Sequence, residues 1–174
     1  FKYPNFPPTP YLFPSNLYAY IASLETNLRK ASVRCISFSL PNFSLFNILN
    51  NYFNFHGLKV LDLFSGTGNI SYEFGSRGAG PITSIDGDFG CVKFIKQTAD
   101  AFELDITAIK SDVFKFLEKH QASYDIIFAD PPYGIDQKEF EKIVHLVFQN
   151  ELLDEEGMMI MENSKHTKLD HLEH

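Results

Sequence analysis

Apolar residues in this chain gather into short runs separated by longer stretches in which apolar and polar positions mix at helical spacing. From Ser44 onward the pattern predicts regular alternation. A helix is expected over 44–53, strands near 59, 81, 106, 124 and 157, and helices over about 69–76, 89–102, 113–120 and 137–149. Strand and helix in alternation imply an α/β fold, a mostly parallel twisted sheet with helices on both faces. Residues 1–15 hold five of the nine prolines between aromatics and read as an extended arm or crossing strand. Leu17 to Ala31 is expected to be helical, capped by Ser15 or Asn16. The division that follows is an N-terminal arm or substrate-side extension over 1–43 and a main domain over 44–174.

Two of the strand ends carry chemistry. The apolar run Lys59-Val-Leu-Asp-Leu63 feeds into Phe64-Ser65-Gly66-Thr67-Gly68-Asn69, which reads as strand, glycine turn, helix. Gly66 and Gly68 let the backbone turn sharply and approach a ligand with no Cβ in the way. Where a dinucleotide fingerprint has its third glycine or alanine, this chain has Ser71, which speaks against a pyrophosphate site. S-adenosylmethionine carries no phosphate; a site for it needs an acid near the methionine ammonium, and Asp62 is placed for that. Asp86, at the end of the second strand and 18 residues beyond Gly68, stands where a carboxylate meets ribose hydroxyls. After the third strand, the Asp112 carboxylate is expected to accept from an adenine amino group while the Val113 N–H donates to a ring nitrogen. Helix capping is the plainer use of Asp112.

The second strand end is Asp130-Pro131-Pro132-Tyr133, directly after the buried run Tyr124-Asp-Ile-Ile-Phe-Ala129. Two prolines remove the backbone donors, so the turn offers the Asp130 carboxylate, carbonyls and the Tyr133 ring. An exocyclic amino group on a flat base fits. Its N–H bonds point at Asp130 and the Pro131 carbonyl, and its ring stacks on Tyr133.

Asp62-Leu-Phe-Ser-Gly-Thr-Gly68, Asp130-Pro-Pro-Tyr133, the approach segment Leu45-Phe-Asn-Ile-Leu-Asn50 and Glu162-Asn-Ser-Lys165 together resemble the RsmD family, bacterial methyltransferases of the guanine N2 amine in 16S ribosomal RNA. The likeness runs from about residue 45 to about residue 166. It implies a Rossmann-like class I methyltransferase fold, S-adenosyl-L-methionine as methyl donor, and ribosomal RNA as partner, naked or within a small-subunit assembly intermediate. Two departures stand out. Where the family has an Arg-Pro-Thr-Thr-type segment before the Leu45 helix, residues 36–44 read Ile-Ser-Phe-Ser-Leu-Pro-Asn-Phe-Ser, and the family's closing antiparallel hairpin is expected to be missing here. Adenine-N6 methylation of DNA or RNA uses the same turn and is the rival enzyme reading. A non-catalytic module binding nucleic acid or protein, with a vestigial cofactor pocket, is the rival outside enzymes.

Composition and charge refine this picture. At 174 residues and 44% hydrophobic, the chain can bury one core; with 18 phenylalanines and no tryptophan, the rings are by default its packing material. Net charge −7 is the wrong sign for holding phosphates. Residues 1–56, however, carry Lys2, Arg29, Lys30 and Arg34 against Glu25 alone, so Arg29, Lys30 and Arg34 are the candidate RNA contacts. Cys35 and Cys91 lie far apart in no metal-like spacing and fit free thiols in a reducing cytoplasm. No run is long enough to span a membrane, and the apolar start is a poor signal peptide. His166, His171 and His174 tempt a metal reading, but exposed terminal histidines are usually solvated, and no metal is expected.

Overall fold

The computed structural model describes residues 19–22, 32–36, 42–132 and 134–162, with 19–22, 32–36 and 42–44 as backbone only. Its strands are β1 (Ala19–Ala22), β2 (Ser32–Ile36), β3 (Val60–Leu63), β4 (Ile82–Asp86), β5 (Ile106–Lys110), β6 (Tyr124–Ala129) and β7 (Leu153–Met161). Its helices are α1 (Asn42–Leu49), α2 (Asn69–Ser76), α3 (Phe89–Ala101), α4 (Val113–Leu117) and α5 (Gln137–Gln149). The strands form one sheet in the order β1-β2-β7-β6-β3-β4-β5. Every neighbouring pair is parallel except β1 with β2. This is a Rossmann-like class I fold.

β1 is a correction. It lies inside the span expected to be helical, and it pairs with β2 from Ala19↔Ile36 to Ala22↔Val33. Pairing overrides local propensity here, because β2 is itself locked to β7 through Ser32↔Met158 and Arg34↔Ile160 and offers an open edge. Residues 1–18 and 23–31, including Arg29 and Lys30, lie outside the described residues. So do Tyr133, the 163–165 part of the Glu162–Lys165 segment, and the C-terminal histidines.

Alternation along the central strands builds a core on each face. Leu61, Leu63, Ile127, Ala129, Met159 and Met161 face α4 and α5. Val60, Ile126, Phe128, Met158 and Ile160 face α1 and α2. Successive residues of a strand point to opposite faces, so a run that is buried throughout, like β3, must be covered on both. Among the described phenylalanines, Phe46, Phe53, Phe55, Phe74, Phe128 and Phe140 serve this purpose, whereas Phe89, Phe94 and Phe102 are exposed. Phe46, Phe55 and Phe74 meet edge-on or tilted with centroids 4.7 to 5.9 Å apart. The Arg77 guanidinium closes that cluster, 4.9 Å from the Phe46 ring centre and paired with Glu73.

The direction of winding reverses between β3 and β6. From β3 the chain winds outward through β4 to β5; it then crosses back to β6 and winds the other way to β7. Open α/β sheets hold ligands at that reversal, outside the carboxyl ends of the strands.

Candidate active site

Leu63 and Ala129 are register partners at the carboxyl ends of β3 and β6, and the next residue, Asp130, donates its N–H to the Leu63 carbonyl at 3.4 Å. The glycine turn and the Asp-Pro-Pro turn therefore leave the sheet side by side. They are far apart in sequence and brought together only by the pairing of β3 with β6.

The glycine turn is held from β4. Ser65 donates to the Ile85 carbonyl through both its N–H, at 3.0 Å, and its hydroxyl, at 3.2 Å. Gly66 N–H donates to one Asp86 carboxylate oxygen at 2.8 Å, and Asp88 N–H to the other at 2.8 Å. Asp86 thus grips the turn, a role beyond the ribose contact expected of it. Phe64 adopts φ 59°, a left-handed conformation that costs a bulky residue about 1–3 kcal/mol and that the surrounding bonds must hold. The two glycines differ in purpose. Gly66, at φ 52°, has no heavy atom within 4 Å of where a Cβ would project, so a ligand can approach there. Gly68, at φ 87°, would drive a Cβ to 2.8 Å from Ile95 and 2.9 Å from Tyr72. Its bareness lets α2 and α3 pack, and the open approach expected of both glycines is evident at Gly66. Thr67 is exposed between them.

Asp62 does not open toward the ligand side. It is 1% exposed, on the face covered by α2, and accepts from the Ser71 hydroxyl at 2.6 Å. Ser71 Oγ in turn lies 2.7 Å from Ser84 Oγ. With its own hydrogen committed to Asp62, Ser71 receives one from Ser84. Burial pushes the Asp62 carboxyl up to about 7; the Ser71 hydrogen bonds oppose this, and the charges of Asp130 and Asp86 add to it. Ser71, read from the sequence as the substitute for a third glycine, is the inner end of this chain. The expected direct contact between Asp62 and an ammonium group is replaced by support from beneath the turn.

Asp112 takes its plainer use as well. It caps α4, accepting from Lys115 N–H at 3.0 Å, while remaining exposed beside the end of β5. Val113 is buried as the first residue of that helix.

At the second turn, Pro131 is buried, Pro132 is exposed, and the Pro132 carbonyl accepts from Ile135 N–H at 2.9 Å. Partial burial of its carboxyl raises Asp130 above its ordinary value, although the residue as a whole is exposed. A further acid stands next to it. Glu162 follows β7 and donates its N–H to the Ala129 carbonyl at 2.8 Å; burial and the Asp130 charge push its carboxyl up to about 7. Glu162 was not among the expected site groups. It was visible in the sequence as the first acid after an apolar strand run, the same signal that marked Asp86 and Asp130.

The outcome is an acid-lined strand-end region with Gly66, Asp86, Asp130 and Glu162 at successive carboxyl ends, supported underneath by Asp62. An acidic surround suits a cationic ligand such as a sulfonium.

The family Conserved hypothetical protein 95 matches residues 42–174, most of the chain and all of the site. The chain belongs to that family, the RsmD family. Two relatives show the spread within it. YlbH of Bacillus subtilis, a proposed rRNA methyltransferase, is 29% identical over 72% of this chain and 69% of its own length. Ribosomal RNA small subunit methyltransferase D of Haemophilus influenzae is 28% identical over 70% of this chain and 64% of its own length. In three dimensions, the crystal structure of HI0767 from Haemophilus influenzae superposes with a TM-score of 0.61 at 24% identity, covering 74% of this chain and 82% of that one. That likeness speaks for the fold of this RsmD-family chain. The family match begins at α1, so β1 and β2 lie before it.

Proposed function

We propose that this RsmD-family chain transfers the methyl group of S-adenosyl-L-methionine to the exocyclic N2 amine of a guanine in small-subunit ribosomal RNA. The observation that carries this reading is the juxtaposition of the glycine turn with Asp130 at the β3–β6 reversal, where a donor lying over the first faces an amine held by the second.

In this reading the carboxyl edge of β3, β4 and β5 would hold the cofactor. Gly66 gives it backbone access, the outer lone pairs of Asp86 accept from ribose hydroxyls, and Asp112 with the Val113 N–H meets the adenine. The carboxylates of Asp86, Asp130 and Glu162 would favour binding of a cationic sulfonium. A guanine unstacked from its RNA, at a cost of about a few kcal/mol, enters over the Asp-Pro-Pro turn and stacks on Tyr133. Asp130 and the Pro131 carbonyl accept from the N2 hydrogens. This draws the nitrogen toward a pyramidal shape with its lone pair aimed at the methyl carbon. When bound, the cofactor would supply the methyl group for this nitrogen and leave with the electron pair of its S–C bond; Asp130 or solvent would take the proton from the methylated nitrogen. Such a displacement requires mainly positioning and electrostatic stabilisation. Arg29, Lys30 and Arg34 would hold phosphates and offset the negative charge of the rest of the chain.

The test is transfer from methyl-labelled cofactor to total RNA and to DNA, followed by nucleoside analysis. Label in N2-methylguanosine of small-subunit RNA is expected. Label in N6-methyladenine would reassign the substrate, and binding of cofactor without transfer to either would leave a module rather than an enzyme.

A further inference from the structure

The bond from Glu162 N–H to the Ala129 carbonyl carries the β6–β7 ladder one residue beyond its last register pair, Ala129↔Met161. Glu162 thereby stands beside Asp130 at the mouth of the site. Asp130 is exposed and Glu162 half-buried, so both carboxylates are open to a ligand, and among the described residues neither has a hydrogen-bond donor or a cation set against it. The adjacency of two acceptor groups therefore defines the ligand they suit: one with two hydrogen-bond donors side by side. Guanine presents this along its Watson–Crick edge, as a ring N1–H next to the N2 amine. Adenine places an acceptor at ring N1.

We infer that Glu162 is the specificity-determining residue of the site, its carboxylate accepting from the guanine ring N1–H while Asp130 accepts from the N2 amine. This rests on the methyl-transfer reading above and explains how the same Asp-Pro-Pro turn is restricted to guanine. A base with a lone pair at N1 meets the Glu162 oxygens with repulsion. The near-neutral titration of Glu162 fits the same geometry, because an N–H donor delivered to it stabilises the charged form that burial and Asp130 disfavour.

The experiment uses the full chain and an RNA substrate in which the methylated guanine has been located and replaced by 2-aminopurine, which keeps the exocyclic amine but has an acceptor at ring N1. With wild type, kcat/KM for guanine should exceed that for 2-aminopurine by on the order of a hundredfold, since a polar site rejects an analogue that leaves its group unpaired. Glu162→Gln, which can turn an amide N–H toward N1, should lose guanine activity and narrow that ratio at least about tenfold. Glu162→Ala should narrow it too, by lowering guanine turnover and relieving the repulsion of the 2-aminopurine N1 lone pair, and serves if the glutamine variant folds poorly. Cofactor affinity and melting temperature are measured alongside. Either variant keeping the wild-type ratio, or a wild type indifferent between the two bases, would overturn the assignment. A wild type that binds cofactor but methylates no guanine brings down the methyl-transfer reading itself, a different result from loss of discrimination.

Discussion

The Ser71 hydroxyl donates to the Asp62 carboxylate at 2.6 Å, tying α2 to β3 directly beneath the glycine turn. A fully enclosed acid with one hydroxyl donor is held near the edge of ionisation, and its titration is written into stability. The folded-state value is about 7 against a model-peptide value of 3.8, so between about pH 4 and pH 7 the folded chain retains a proton that the unfolded chain has lost. Stability from this group is therefore greatest at the acid end and falls as pH rises through that window.

Asp62→Asn should remove this contribution. Urea unfolding of wild type and variant across the same window should show the wild type losing more stability toward neutral pH than the variant. Parallel pH profiles would mean that Asp62 is ionised throughout.

Gly68→Ala puts a methyl group into the contact of α2 with α3, 2.8 Å from Ile95, on left-handed backbone. The expected cost is about 1–3 kcal/mol for overpacking and about 1–2 kcal/mol for the backbone. Gly66→Ala meets no such contact and should pay mainly the backbone cost while weakening cofactor binding. Comparing the two by denaturant unfolding and by calorimetry separates packing from access.

Asp86→Ala takes an acceptor from the Gly66 and Asp88 amides and, in the proposed cofactor site, from the ribose. S-adenosylmethionine affinity should fall by about 1–3 kcal/mol, and amide exchange at Gly66 should quicken in the absence of cofactor. Unchanged affinity in a folded variant would remove Asp86 from the binding site.

Asp130→Ala removes the acceptor for the target amine and leaves the bonds that hold the glycine turn in place. Cofactor affinity should hold while turnover drops on the order of a hundredfold to a thousandfold, the usual loss of one preorganised contact worth about 2.7–4 kcal/mol. Near-normal methylation would make the Asp-Pro-Pro turn a structural feature only.

Replacing Arg29, Lys30 and Arg34 together by glutamine should weaken RNA binding and flatten the dependence of log affinity on log salt by roughly two to three units, at about 0.7–0.9 per phosphate contact. Titrations at several salt concentrations read this directly. An unaltered slope would leave those residues as a solvated face.

The order of elements was legible in the residues because strand and helix periods, glycine turns and caps are local. β6 from Tyr124 to Ala129, α2 from Asn69 to Ser76 and α5 from Gln137 to Gln149 lie where spacing and turn chemistry put them, and Asp136 closes a capping box with Glu139 at the start of α5. Asp86 and Asp130 could be singled out because an acid at the end of an apolar strand run is itself a local pattern. Whether such an acid faces ligand or interior is set by what packs against the strand from elsewhere. Asp62 is turned under α2 to Ser71 and Ser84, Gly68 is bare for the sake of Ile95 and Tyr72, and Glu162 reaches Asp130 only because β7 runs beside β6. The strand at Ala19–Ala22 makes the same point, since its partner is an edge made available by β7, more than a hundred residues along the chain. Local spacing determined which groups this protein has at its strand ends. Non-local pairing and burial decided which of them face one another and which are shut inside, because both depend on contacts that no short stretch of sequence contains.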